Sequence, residues 1–454
     1  MTYIDALSKL LSLTDLERVS GTAHSPRRYD LGRMRLLMER LGNVHLQIPT
    51  VHVTGTKGKG STAATIASVL AAQGYRPGLF TSPHLHTFRE RIQLNGEPLP
   101  EEAFASLVEE ICPVAESISA QGAHGDITTF EMLTAMAFLH FHHQRAGFQV
   151  MEVGLGGRLD STNLVQPTVC VFTSISLDHT QILGDTVEQI ARDKSGIIKP
   201  GTVAVTSPQE PGVMAVLEQA CRELGVELVS VGRECRWGLD SHDLDGQSFT
   251  VVTPWGEFHL RTPLLGEHQI ENAATALAVL RVLDRLGFSI SNESLHRGFG
   301  SVRWPGRMEV LRRDPLVVAD GAHNPYSAGK LREAVRQYLS FRRLTYVVGV
   351  STDKDIPGII RELSPGADLV VATRSRHPRA VEASVLAQGF RAAGAKAVAV
   401  DGVRSALAHA LGQSQAADLV VATGSLFVAA EAREAILGIR PELYPTLLPG
   451  VVVP

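Results

Sequence analysis

From about residue 50 onward the chain alternates short runs that are apolar at nearly every position with longer stretches whose apolar residues recur at helical spacing. Val51–Val53, Arg76–Thr81, Phe148–Val153, Val169–Ile175 and Thr202–Thr206 are the short runs, while Phe130–His140 reads as a buried helix. Ile270–Leu286 reads as a second helix, with Gly287 as its stop. Strands apolar on both faces that alternate with helices predict a parallel sheet covered by helices. Glu227–Val231 and Phe249–Leu260 read as strands added to it. The segment Gly298–Arg307 combines Gly, Pro and Trp in a few residues and predicts a domain boundary, with 1–300 on one side and 301–454 on the other. The alternation then restarts, with strands expected at Leu316–Ala319, Leu344–Val350, Ala367–Thr373, Ala395–Val400 and Asp418–Thr423. The expected fold class is α/β, a larger parallel-sheet domain followed by a smaller Rossmann-like one.

A length of 454 residues suits two or three domains. The 43 basic and 47 acidic residues nearly cancel, which removes the electrostatic reason to expect nucleic acid or a membrane surface as a partner. Small molecules are expected instead. Cys112, Cys170, Cys221 and Cys235 show neither CxxC pairing nor metal-finger spacing, which fits reduced thiols in a cytoplasmic protein. Met1–Asp5 has no basic-then-apolar pattern and no apolar run reaches bilayer length, so neither export nor membrane insertion is expected.

Candidate chemistry begins where the first strand run ends. Val51–Ser61 closes in a glycine-rich turn holding Lys59 and Ser61, followed by an amphipathic run, and reads as a phosphate cradle at a helix N-terminus. The fold class is thereby a P-loop type. Lys59 would hold β/γ phosphates, and Ser61 a magnesium ion or its water. Gly60 separates the two, unlike the general pattern, and a turn needing glycine for geometry alone is the competing reading. Two further strand runs end in Glu152 and in Ser174–Thr180, bringing Glu152 and His179 to the edge where open α/β sheets gather catalytic groups. A carboxylate, an imidazole and a hydroxyl can ligate a divalent cation on phosphate oxygens. Taken alone, His179 also reads as a structural histidine, Glu152 as a cap or surface group, and Lys194 as a solvated lysine at a helix end. Asp320 would accept ribose hydroxyls or, equally, an Asp or Asn there would cap the next helix.

Thr54–Ser61, Thr81–Leu85, Glu152–Asn163, Leu177–Thr180, Trp304–Arg307 and Asp320–Pro325, taken in order, resemble the folylpolyglutamate synthase and dihydrofolate synthase family of the Mur ligase superfamily. That family's cradle carries the extra glycine, so Gly60 becomes its mark. The resemblance implies an ATP-dependent amide ligase. ATP phosphorylates a carboxylate of a pterin-containing substrate, and the amine of L-glutamate attacks the acyl phosphate. It assigns Thr56, Lys57, Gly58, Lys59, Gly60 and Ser61, with Asn272, Arg307 and Asp320, to ATP, and Ser82, Glu152 and His179 to Mg2+. Lys194 matches a lysine that the family carries carbamylated, and joins Lys59, Glu152 and His179 as catalytic. The pterin side, taking folate or dihydropteroate, matches Asp30, Leu31, Gly32, Thr128, Thr129, Phe130, Glu131, Leu159, Asp160 and Ser161. His323 and Ser425 lie in motifs tied to glutamate.

The chain departs from the family at Lys57, where asparagine is common, at Asp193, where glutamate is frequent, and at Phe427, where tyrosine or histidine is often found. By the same resemblance the protein is expected to be monomeric, with ATP between the domains. A related ligase for a cell-wall precursor is the alternative, and a nucleotide-dependent switch without bond-forming activity is a third reading.

Overall fold

The run leading into the glycine-rich turn becomes strand β1 (Thr50–Thr54), buried throughout, in a computed structural model that describes residues 1–15, 30–122 and 125–442. It lies inside a sheet with β2 (Pro77–Phe80), β3 (Ile92–Leu94), β4 (Glu97–Pro98), β5 (Phe148–Glu152), β6 (Val169–Phe172), β7 (Val203–Thr206) and β8 (Glu227–Ser230), in the order β4-β3-β2-β5-β1-β6-β7-β8. The six strands from β2 to β8 in that order run parallel. The β3–β4 hairpin adds antiparallel pairing at one edge. Val51 and Val53 pack with the helices Lys59–Gln73 and Glu267–Arg285 in one core. Phe80 and Met151 pack on the other face with the helices Glu101–Gln121 and Thr129–His143.

Phe249–Leu260 does not extend this sheet. A turn around Trp255 divides it into β10 (Gly246–Thr253) and β11 (Gly256–Thr262), which join β9 (Arg236–Asp243) in a separate three-stranded antiparallel sheet. Thr253 Oγ1 bonds the Gly256 carbonyl at 2.9 Å and the Trp255 N–H at 3.1 Å, a local side-chain turn that outcompetes a continuous strand. Burial alternates along β11, as in a strand with one wet face, which the parallel sheet could not accommodate.

A second sheet follows, made of β12 (Glu309–Arg313), β13 (Leu316–Ala319), β14 (Leu344–Val348), β15 (Leu369–Ala372), β16 (Ala397–Ala399) and β17 (Leu419–Thr423), in the order β12-β13-β17-β14-β15-β16. All pairs are parallel except β12 with β13. The helices Pro325–Tyr338, Ile356–Leu363 and Ala383–Ala392 cover one face. Val403–Gly412 and Leu426–Leu437 cover the other. Among the described residues no helix is long and apolar enough to cross a membrane. The C-terminal ends of β1, β5 and β6 face those of β13 and β17 across a cleft of about 2040 Å³.

Candidate active site

Geometry at the cradle explains its glycines. The helix Lys59–Gln73 starts after Gly58, whose φ of 86° suits glycine. A Cβ on Gly58 would lie 2.2 Å from Asn272 Oδ1, and one on Gly60 would lie 2.4 Å from the Trp304 ring. Gly60, the residue that breaks the general phosphate-loop pattern, is thus the seat of the Trp304 indole. Thr56 and Lys57 both donate their amides to the Ser174 carbonyl, at 2.8 and 3.1 Å, so these two N–H groups anchor the turn to the end of β6. The amides of the first helical turn, from Lys59 onward, are the ones that helix geometry leaves unpaired, and they face the cleft.

Lys57 meets Asp178 at 2.7 Å. Burial lowers the lysine's pKa. Burial alone would raise that of Asp178, but the Lys57 ammonium and the His179 ring hold it well below the usual carboxylate range. The added cation in the cradle therefore has a partner inside the site.

Glu152 ends β5 in a buried position, contrary to a cap or surface role, and accepts the Ser82 N–H at 3.2 Å. Burial raises its pKa, while Lys59 from the cradle and Arg307 from the segment before β12 pull it back. His179 has a left-handed backbone, with φ of 50°. Its ring is half exposed and lies 3.8 Å from Asp178. Partial burial lowers its pKa against the pull of Asp178. Ser82, Glu152 and His179 line one cleft. Among the described residues no three His, Cys, Asp or Glu side chains form a ready metal cage. That donor set fits magnesium, which takes one or two carboxylates and completes its shell with phosphate oxygens and water.

Lys194 is not a solvated helix-end residue. It is buried, donates from Nζ to the Gly55 carbonyl at 2.8 Å, and has its pKa pushed down to about 7, by burial first and Lys59 second. The last turn of the helix Val187–Lys194 docks under Gly157, where a Cβ would lie 2.7 Å from the Lys194 carbonyl oxygen. With Lys59, Asp178 and His179 it lines a small cavity of about 30 Å³. The run Arg192-Asp193-Lys194 suggests a wet surface, and only the tertiary fold buries its last member.

Asp30, Thr128, Phe130, Glu131, Leu159, Asp160 and Ser161 also line the cleft, whereas Leu31, Gly32 and Thr129 do not. Asp30 caps the helix Leu31–Arg40 by accepting the Gly32 N–H at 2.8 Å. Thr128 and Glu131 form a capping box, and the buried Glu131 carboxylate takes Arg33 Nε at 2.8 Å. Much of the hydrogen-bonding capacity of Thr128 and Glu131 is thus used within the fold. Arg33 escaped sequence reasoning, although a carboxylate on an otherwise apolar helix calls for a buried cation.

From the second sheet, Asp320 follows β13 and accepts the Met308 and Ala322 amides at 2.9 and 2.8 Å. Capping of the helix Pro325–Tyr338 falls to Asn324, so Asp320 is not that cap. His323 is half-buried, and partial burial together with the Lys57 charge lowers its pKa to about 3. Ser425 caps the helix Leu426–Leu437 and accepts the Val428 N–H at 3.2 Å. Phe427 stacks on His377 with ring centroids 4.1 Å apart. Arg307, Asp320, His323, Ser425 and Phe427 share the cleft with Asn272 and the cradle.

Two α/β units meeting over a glycine-rich phosphate cradle, with charged groups from both at one carboxylate, define a Mur-type ligase, an ATP-dependent enzyme that makes amide bonds. Residues 53–280 match the Mur ligase middle domain, and residues 306–426 match the Mur ligase, glutamate ligase domain. The chain belongs to the folylpolyglutamate synthase/dihydrofolate synthase family. It is 38% identical to the dihydrofolate synthase/folylpolyglutamate synthase of Bacillus subtilis, over 77% of this chain and 82% of that one. It is 39% identical to a probable bifunctional folylpolyglutamate synthase/dihydropteroate synthase of Halobacterium salinarum, over 87% of this chain but 48% of that one, and so spans about half the length of this relative. The fold superposes on Mycobacterium tuberculosis folylpolyglutamate synthase complexed with ADP with a TM-score of 0.86 at 32% identity, covering 97% of this chain and all of that one. These likenesses do not favour the cell-wall reading.

Proposed function

We propose that this chain joins L-glutamate to a reduced folate, and also to dihydropteroate, through an acyl phosphate. The observation carrying this reading is the buried Glu152 carboxylate, which feels Lys59 from the cradle and Arg307 from the segment leading into the second sheet together. A carboxylate is a poor electrophile at neutral pH, so ligation first requires phosphoryl transfer to it. Lys59 and the first-turn amides neutralise the triphosphate as charge spreads over the moving phosphoryl group. Thr56 and Lys57 hold the cradle's shape, Asn272 and Asp320 contact the nucleoside, and Arg307 approaches when the domains close. Ser82, Glu152 and His179 would hold Mg2+, which when bound supplies further positive charge at the phosphate oxygens. Lys194, carbamylated, would add an anion behind that site. Asp30, Phe130, Leu159, Asp160 and Ser161 face the pterin-bearing acceptor, and His323 and Ser425 face glutamate, whose amine attacks the acyl phosphate and expels phosphate.

We further take the domains as 1–300 and 301–454, the working unit as a monomer whose one cleft draws on both, and the compartment as the cytoplasm. Free Cys112, Cys170, Cys221 and Cys235 support a reducing compartment. The test is ADP release and product mass with ATP, magnesium and glutamate on dihydropteroate and tetrahydrofolate separately. Each acceptor should gain glutamate with one ADP per bond. No ADP and no product on either would overturn the reading.

A further inference from the structure

β1 carries two chemistries. Val51 and Val53 pack into the apolar core. The opposite face presents Thr50, His52 and Thr54, all buried. An apolar residue would serve a central strand at lower cost than an imidazole there, so the polar row calls for partners.

Thr50 is served by the Ile48 carbonyl and the Gln149 amide, and the partners of His52 and Thr54 lie in one loop. Thr54 Oγ1 donates to the Gly156 carbonyl at 2.7 Å, and His52 Nε2 lies 2.8 Å from Thr162 Oγ1. Thr162 in turn donates both its hydroxyl and its amide, the latter at 3.0 Å, to Asp160 Oδ1. Leu155 N–H holds the other carboxylate oxygen at 3.0 Å. Lys199 Nζ secures the same loop through the Asn163 carbonyl at 2.8 Å.

The hydroxyl of Thr162 has one proton, and Asp160 takes it. Thr162 therefore accepts from His52, which fixes the imidazole as the neutral tautomer protonated at Nε2. His52 Nδ1 has no hydrogen-bond partner, as this tautomer allows for an acceptor nitrogen. Burial, with Lys199 nearby, drives the ring's pKa down to about 3, so the donor order persists across the neutral range.

We propose that His52 is a positioning residue, which acts through the Thr162 hydroxyl to aim the Asp160 carboxylate at the acceptor side of the cleft. The strand that delivers the phosphate cradle thereby also sets the acceptor wall, which couples the placement of the two reacting ends. The inference rests on Asp160 facing the acceptor.

The test compares Thr162→Val and His52→Phe, which break the relay, with Thr162→Ser and His52→Gln, which keep a hydroxyl and an N–H donor. Loss of the charge-assisted Thr162–Asp160 bond, directly in Thr162→Val or through the freed hydroxyl in His52→Phe, should raise KM for tetrahydrofolate roughly tenfold. ADP affinity should stay within about twofold, the second pair should recover most of the loss, and the double variant Thr162→Val/His52→Phe should be no worse than either single one. Labelled-imidazole NMR of the folded enzyme should report one neutral tautomer for His52, replaced by a mixture in Thr162→Val. An unchanged folate KM in Thr162→Val, or an equal loss of folate and ADP binding, would overturn the relay. Asp160→Asn separates the two levels. If it leaves folate KM unchanged, the acceptor-side reading fails. If it raises KM while Thr162→Val does not, only the relay fails.

Discussion

At Glu152 a single oxygen decides the chemistry. Glu152→Gln keeps the volume and the Ser82 contact but removes the anion that Lys59 and Arg307 face. Turnover should fall by roughly a hundredfold or more, with the melting temperature nearly unchanged. A normally magnesium-dependent, active variant would sink the assignment. Lys194 makes a prediction of opposite kind, through stability. Its folded pKa of about 7 lies below the ordinary 10.5, so between these values the unfolded chain binds a proton that the folded chain does not. Stability therefore rises as pH climbs through that window, and below it the protonated buried amine carries its full cost. With bicarbonate excluded, so that Lys194 stays an amine, calorimetry of Lys194→Met against the parent should show the variant's relative advantage at pH 6.5 shrinking by pH 9. A pH-independent difference would mean that the amine is not held neutral by burial. Glu152 was legible because an apolar run delivers it to a strand end. The surroundings of Lys194 were not, because its neighbours Arg192 and Asp193 are charged and its burial depends on a loop that a distant strand positions.

Elements depend on close approaches that the chain pattern only hints at. Gly60→Ala places a methyl group 2.4 Å from the Trp304 ring, so the indole must leave the helix start. ATP affinity should weaken by about tenfold or more, with a shift in tryptophan emission, since the displaced indole no longer packs on the phosphate helix. Unchanged emission and affinity would contradict that packing. The helix Thr129–His143 was readable from its apolar content, yet its anchor is the Arg33–Glu131 pair, joining residues 98 apart in sequence. Arg33→Ala strands a buried carboxylate and should cost about 3–5 kcal/mol in denaturant unfolding. A loss below about 1 kcal/mol would mean that the capping box alone satisfies Glu131. Partners this far apart leave no local trace, as is also true of Lys57 and Asp178, 121 residues apart. Phe249–Leu260 was misplaced for a related reason, and β9 was not anticipated. Period and composition announce a strand, but they do not say which sheet it joins.

Across the whole molecule, two mainly parallel sheets bring their C-terminal strand ends to one cleft. The expected strands of both sheets were visible as apolar runs, because strands buried on both faces admit little else. How the two sheets face each other was not, since the contact rests on single residues such as Trp304 over Gly60 and on the field of Arg307 at Glu152. Such an arrangement serves transfer from a nucleotide on one side to an acceptor carboxylate beside it, with closure excluding water. The most direct measurement follows the oxygen. Tetrahydrofolate labelled with oxygen-18 in its side-chain carboxylate should, on ligation to glutamate with ATP and magnesium, pass one labelled oxygen into each released phosphate. ADP formed with unlabelled phosphate would contradict the acyl phosphate and the ligase mechanism built on it.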